Sequence, residues 1–148
     1  MGSGYKGPYI GTVGSKSDDG SKKQSKLLAQ MPNYDKSVTP IEKFTKYSLD
    51  PNNPNNHGKA EAYKRGLGFD KSNAEILRRS IHKKIISGKY KPYDTETDQY
   101  GIRYKYRLPI KGPNGKTKKV IAVYQIDKGK ENPRMITNYL DKERNQND

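Results

Sequence analysis

The chain contains no cysteine, so neither a disulfide framework nor a thiolate metal site is open to it. No apolar run approaches the ~18 residues that a membrane-spanning helix requires, and the first residues lack the hydrophobic stretch of a signal peptide. The expectation is a soluble domain with no stable membrane insertion. Hydrophobic residues are scarce at 30% of the 148 residues, against about 45–50% in an ordinary domain, a figure that also counts glycine. One modest core is the most such a chain can build. Whole reaction classes are missing too: there is no G-x-S-x-G elbow, no H-E-x-x-H helix and no G-x-x-x-x-G-K-[ST] phosphate loop. The 2 histidines cannot make the usual three-ligand zinc site without a carboxylate. No cofactor is expected.

What the chain has in excess is positive charge. Its 30 Lys and Arg stand against 16 Asp and Glu, a formal net charge of +14 with a pI near 9.8. A field of that size attracts polyphosphate and gains affinity by counterion release. The first partner to consider is therefore a nucleic acid, RNA above all, and the second an anionic membrane surface.

Apolar residues crowd into residues 41 to 140, between polar ends. Residues 1–32, rich in Gly, Ser and Lys, read as a flexible basic leader or linker, 33–141 as the folded domain, and 142–148 as a polar tail. Within the domain, Val38 to Phe44 can start a short helix or strand, and Asp50 to Asn56 is rich in turn formers. A helix is expected from Asn56 to Gly68, capped at Asn55 or Asn56 and stopped by Gly66 and Gly68. Ser72 or Asn73 caps a second helix, in which Leu77, Ile81 and Ile85 form a stripe widened by Ile76 and Ile86, and which ends at Gly88. After a polar loop the period becomes two. Ile102, Tyr104, Tyr106, Leu108 and Ile110 point one way, and Arg103, Lys105 and Arg107 the other.

Pro113-Asn114-Gly115 signals a type I′ turn, and Val120 to Ile126 returns as the partner strand. With a two-residue Asn114-Gly115 loop, Leu108 faces Ile121 and Tyr106 faces Val123, while Arg107 and Lys105 fall opposite Ala122 and Tyr124. Arg134 to Leu140 makes a third strand. Two helices on one face of an antiparallel sheet is an α+β architecture.

His57 opens a helix just after the Asn-rich loop, with Lys59 two positions on. Such a junction offers N–H groups and a positive dipole end, which suit phosphate and favour the neutral imidazole of a general base. His82, between Arg78, Arg79, Lys83 and the apolar stripe, reads as a solvated or boundary residue. The far side of the hairpin carries Arg103, Lys105, Arg107 and Tyr124, joined by Arg134, Thr137 and Tyr139 from the next strand. Cations interleaved with tyrosines can hold phosphates while rings stack on bases, and an ordinary solvated face is the alternative. Asp94, Glu96 and Asp98 read as a solvated loop, although alternate carboxylates could hold a divalent cation. Gly112 to Lys116 resembles a phosphate cradle only superficially and is a hairpin turn. RNA supplies its own nucleophile in the 2′-OH, so cleavage without a metal needs only a base, an acid and cations on the phosphorane. His57, Lys59, Arg134 and Thr137 or Tyr139 are residue types that serve.

Four segments, Lys46 to Pro51, His57-Gly58-Lys59-Ala60, Leu67-Gly68-Phe69 and Pro133 to Tyr139, stand in an order that resembles a family of uncharacterised toxin-like C-terminal domains. Those domains end polymorphic secreted toxins and some phage head proteins, and look like members of the barnase, EndoU, colicin and RelE superfamily of ribonucleases. Met135-Ile136, Asn138 and the Asn-rich loop depart from the commoner pattern. The resemblance implies N-terminal helices packed on one face of an antiparallel sheet of about four strands. It implies catalytic residues at His57, Lys59, Arg134, Thr137 and Tyr139. The RNA-binding residues expected beside them are Arg103, Lys105, Arg107, Tyr124 and Asn138. The expectation that results is a metal-independent endoribonuclease toxin domain, monomeric apart from its inhibitor, secreted or delivered from a larger effector into a target-cell cytoplasm. An acidic cognate immunity protein would neutralise it. The alternatives are a non-catalytic basic nucleic-acid-binding module and a phage-associated structural protein.

Overall fold

The computed structural model describes residues 28–142; most of the expected leader and tail, residues 1–27 and 143–148, lies outside the described residues. The first helix, α1 (Lys59–Leu67), turns Ala60, Tyr63 and Leu67 inward at helical spacing. Its first turn is capped from a distance: Asn56 Oδ1 accepts the Ala60 N–H at 2.9 Å, and the Asn56 amide donates to the Tyr47 carbonyl at 2.6 Å. The Asn-rich loop is thus knitted to the short π-helix Phe44–Ser48. Val38 forms an isolated parallel bridge with Arg134. Gly68, at φ 85°, ends α1, its N–H donating to the Tyr63 and Lys64 carbonyls. Gly66 does not stop the helix. A Cβ there would meet Leu140 Cδ2 at 2.7 Å, so its bare backbone lets α1 close onto the sheet.

The second helix, α2 (Ala74–Ile86), follows a 3₁₀ turn at Lys71–Asn73. Asn73 holds the N-cap position of α2 but its side chain turns back to the 3₁₀ turn, where Asp70 is the cap: Asp70 Oδ1 accepts the Ser72 N–H and Asn73 Oδ1 accepts the Asp70 N–H, a reciprocal capping box. Ala74, Leu77, Ile81 and Ile85 are buried, whereas Ile76 is 51% and Ile86 37% exposed. Each lies about 100° around the helix from its inward neighbour, so the stripe is narrower than expected.

Four strands follow in the order β1-β2-β3-β4, all antiparallel: β1 (Asp94–Asp98), β2 (Gly101–Lys111), β3 (Thr117–Asp127) and β4 (Arg134–Leu140). The fold is α+β, with both helices against one face of the sheet. β1 occupies the stretch expected as a polar loop, its Asp-Thr-Glu-Thr-Asp alternation pairing with β2. The inward residues Tyr104, Tyr106, Leu108, Val120, Ala122 and Tyr124 join Tyr63, Leu67, Leu77, Ile81 and Ile85 in one core. That core also takes Met31, and Gln30 bridges the Tyr106 hydroxyl and the Tyr90 carbonyl, so the domain begins earlier than the expected leader boundary.

The β2–β3 register differs by one residue from that expected. Leu108 pairs with Val120, Tyr106 with Ala122, Arg107 with Ile121 and Lys105 with Val123. Proline explains the slip. A type I′ turn needs positive φ at both central residues, whereas Gly115 alone in this turn has it, at 88°. Pro113 instead sits at the second position of a type I turn, the Gly115 N–H bonding the Gly112 carbonyl, and Gly112 and Lys116 close a three-residue loop. One residue of slip turns over every β3 side chain. Tyr124 therefore points into the core and is fully buried, not on the outer face.

Candidate functional site

On the sheet face away from the helices, a cleft of about 430 Å³ opens beside the start of α1 and the end of β4. Its floor includes Ile121, and it is lined by His57, Lys59, Ala62, Tyr93, Arg107, Tyr139, Asp141 and Lys142, with Leu140 at the edge shared with the core. Ile121 is 2% exposed although it belongs to the outer face, since it lies between Arg107 and Tyr139 in the register and long side chains can cover it with their stems.

Lys59, the first residue of α1, crosses to β4. Its ammonium donates to Thr137 Oγ1 at 3.2 Å and sits 5.3 Å from the centre of the Tyr139 ring. Burial pulls its pKa down from the ordinary lysine value. Among the described residues, none of its partners is a carboxylate. Across the cleft Arg107 Nε donates to Asp141 Oδ2 at 2.7 Å, and its guanidinium lies 3.9 Å from the centre of the Tyr93 ring. Tyr93 has its pKa raised, chiefly by burial and against the opposing pull of Arg107. His57 is exposed at the mouth with φ 53°, followed by Gly58 at φ 85°. A left-handed histidine is uncommon, and such backbones gather at functional sites. The N–H groups expected to receive phosphate are partly engaged, because Asn56 accepts those of Lys59 and Ala60.

His57, Lys59, Thr137 and Tyr139 are thus brought together as the sequence suggests, and Arg107 joins them. Arg134 is not. It lies five residues along β4 from Tyr139, roughly 16 Å at strand spacing, and binds Asp127 through two hydrogen bonds of 2.7 and 3.0 Å. That pairing, followed by Gln125, holds the Asp127 carboxyl at about 2. Arg134 shares the outer face with Thr137 and Tyr139 only because β4 bulges opposite Val123 and Tyr124. Asn138, expected to bind RNA, is fully buried. It accepts from the Tyr63 hydroxyl at 2.8 Å and sits beside Met135.

The remaining cations of the face are paired as well. Arg103 donates to Asp98 at 2.8 Å and to Glu96 at 3.4 Å, and Lys105 to Glu96 at 3.0 Å, with Asp94 at 3.8 Å. Lys105 first, and then Arg103, hold the Glu96 carboxyl below the usual carboxylate range. The carboxylates expected in a solvated loop therefore form an acidic ladder along β1. Among the described residues, no three His, Cys, Asp or Glu side chains gather as metal ligands do. His82 sits at a boundary, as expected, but is hydrogen-bonded: its Nδ1 lies 2.9 Å from Thr39 Oγ1, which is 2.6 Å from the buried Tyr124 hydroxyl.

Tyr93, Asp141 and Lys142 were not legible as site residues, since the first precedes an unrecognised strand and the others fall at the domain's end. The signal for Tyr93 was the alternating threonines after it, which favour a strand.

Fold and site together define an α+β domain with a cationic, tyrosine-lined cleft on the open face of an antiparallel meander. The chain belongs to the family described as Domain of unknown function (DUF6883), whose model matches residues 30–142. No curated protein and no solved structure matches it. No helix among the described residues is long and apolar enough to cross a membrane.

Proposed function

We propose that this domain is a metal-independent endoribonuclease that cleaves RNA by 2′-OH transesterification and serves as the toxin domain of a larger delivered effector. The observation that carries the reading is the setting of Lys59. An ammonium gripped by a hydroxyl and an aromatic ring, with no carboxylate partner among the described residues, faces a fixed arginine across a cleft with a histidine at its mouth. In this reading His57 takes the proton of the 2′-OH as O2′ attacks phosphorus. Lys59 and Arg107 stabilise the phosphorane charge. Lys59, made more acidic by burial, gives a proton to the departing O5′, leaving a 2′,3′-cyclic phosphate and a 5′-hydroxyl. Arg107 takes the part that the sequence suggested for Arg134. Among the described residues, the carboxylate lining the cleft, Asp141, is engaged by Arg107 and so is a poor metal ligand.

The net charge of +14 also suits an acidic immunity protein. Because Arg103, Lys105 and Arg134 hold carboxylates, and Arg107 holds Asp141, its natural target is the cleft mouth around Lys59 rather than the whole outer face. The experiment is incubation of purified protein with total tRNA and rRNA, with and without EDTA, followed by analysis of the RNA ends. Cyclic phosphate ends formed in excess EDTA are expected. Activity lost to chelator and restored by Mg²⁺ overturns the mechanism, and RNA bound but uncut leaves a binding module.

A further inference from the structure

We infer that Tyr93, together with Arg107 and Asp141, is a base-stacking subsite, so that the cleft takes a single unstacked nucleotide of a single-stranded chain. The inference deepens the nuclease reading and rests on it for the identity of the ligand. Three observations carry it. Tyr93 remains 38% exposed although its ring lies beneath a guanidinium 3.9 Å away, so the ring keeps surface open to solvent. The layer is also fixed from both sides, since the Tyr93 N–H donates to the Lys105 carbonyl at 2.8 Å and the nearly buried Asp141 carboxylate holds Arg107 at 2.7 Å. An aromatic held in this way loses little freedom on stacking a base.

The third observation is size and polarity. A cleft of about 430 Å³ lies near the lower end of ligand pockets, roughly 300–1,000 Å³, and is too small for a duplex. Its cations, Lys59 and Arg107, suit one phosphate, while Tyr93 and the apolar floor suit one base. RNA recognition by stacking needs the base splayed out of its helix, which restricts the substrate to loops and single strands.

The test separates binding from cleavage. Adenosine 3′-monophosphate and inorganic phosphate are titrated calorimetrically into the full chain and into Tyr93→Ala and Tyr93→Phe, with thermal melts confirming that each is folded. The native protein and Tyr93→Phe are expected to prefer the nucleotide over phosphate by about ten-fold or more, the size of one stacking contact. Tyr93→Ala should lose that preference while keeping its affinity for phosphate. A single-stranded trinucleotide should displace the mononucleotide, and a blunt RNA duplex should not. A native protein without preference, an unchanged Tyr93→Ala, or equal competition by the duplex overturns the inference. The two readings fail separately: nucleotide binding without RNA cleavage removes the nuclease and keeps the subsite, whereas cleavage with unchanged KM in Tyr93→Ala does the reverse.

Discussion

Two regions of one sheet face carry similar residues in different electrical states. Along β1 and β2, Arg103 and Lys105 are answered by Asp98, Glu96 and Asp94 on the edge strand, leaving a mosaic of paired, half-exposed charges. At the end of β4, Lys59 has a hydroxyl and a ring for partners, and Arg107 has its carboxylate nearly out of water. A salt bridge in water is worth little and screens itself, whereas an unneutralised ammonium in a partly dry cleft projects its field onto whatever enters. Counting cations on a face is therefore a poor guide to where an anion binds. The available charge is what remains after the protein's own carboxylates have taken their share.

The largest effect should separate these regions by catalysis. His57→Ala and Lys59→Ala are each expected to slow RNA cleavage by about 10²-fold or more, the scale of a lost proton-transfer group. Arg103→Ala, Lys105→Ala and Arg134→Ala should change it less than about three-fold, since those cations are engaged elsewhere. Single-turnover kinetics on a defined RNA measure this. Equal losses on both sides would erase the distinction between cleft and ladder.

A smaller effect, of order 1 kcal/mol, concerns the inner side of the sheet. When His82 Nδ1 carries no proton it accepts the Thr39 hydroxyl, whose oxygen accepts from Tyr124. Protonation turns Nδ1 into a donor, so one hydroxyl hydrogen of the Thr39–Tyr124 pair loses its acceptor. Burial first, and Arg78 second, lower the pKa of His82. A lowered folded value means that the unfolded chain binds the proton more readily. The stabilisation is thus complete above about 6.5, the ordinary value, and is lost as pH falls below it toward the folded pKa. Urea midpoints should therefore drop between pH 7 and pH 5, and less steeply in His82→Gln. An equally steep drop in that variant would show that other groups set the acid limit. RNA cleavage by His82→Gln at pH 7 should stay within about three-fold of the parent, which separates this network from the cleft.

Periodicity carried most of the fold into view. The 3.6-residue spacing of Leu77, Ile81 and Ile85 and the two-residue spacing of β2 both reflect burial on one side, and burial on one side is what a pattern records. Register was not recorded in that way, because the preference of Pro113 for the second position of a turn decided between two turns that the same Asn-Gly signal permits. β1 escaped because its outward residues are acidic and its alternation is between Thr and carboxylate, with nothing apolar to mark a face. The candidate site was half legible. His57, Lys59, Thr137 and Tyr139 come together, but the places of Arg134 and Asn138 depend on a bulge and on Tyr63, neither of which leaves a mark in local sequence.

The smallest expected effect tests the ladder itself. If β1 keeps Arg103 and Lys105 from binding polyanion, removing its charge should expose them. The triple variant Asp94→Asn, Glu96→Gln, Asp98→Asn keeps each side chain's shape, and the amide oxygen introduced by Asp98→Asn can still accept the Tyr100 N–H that Asp98 accepts at 2.8 Å. Stability should hardly move, because pairs this exposed contribute little. Affinity for single-stranded RNA should rise at low salt, and the slope of log K against log salt should steepen by up to about 1.4, about 0.7 for each freed cation. Cleavage of bound RNA should keep its rate, since the cleft is untouched. Fluorescence anisotropy over a salt series measures the slope. An unchanged slope would mean that the ladder is not what keeps Arg103 and Lys105 from RNA.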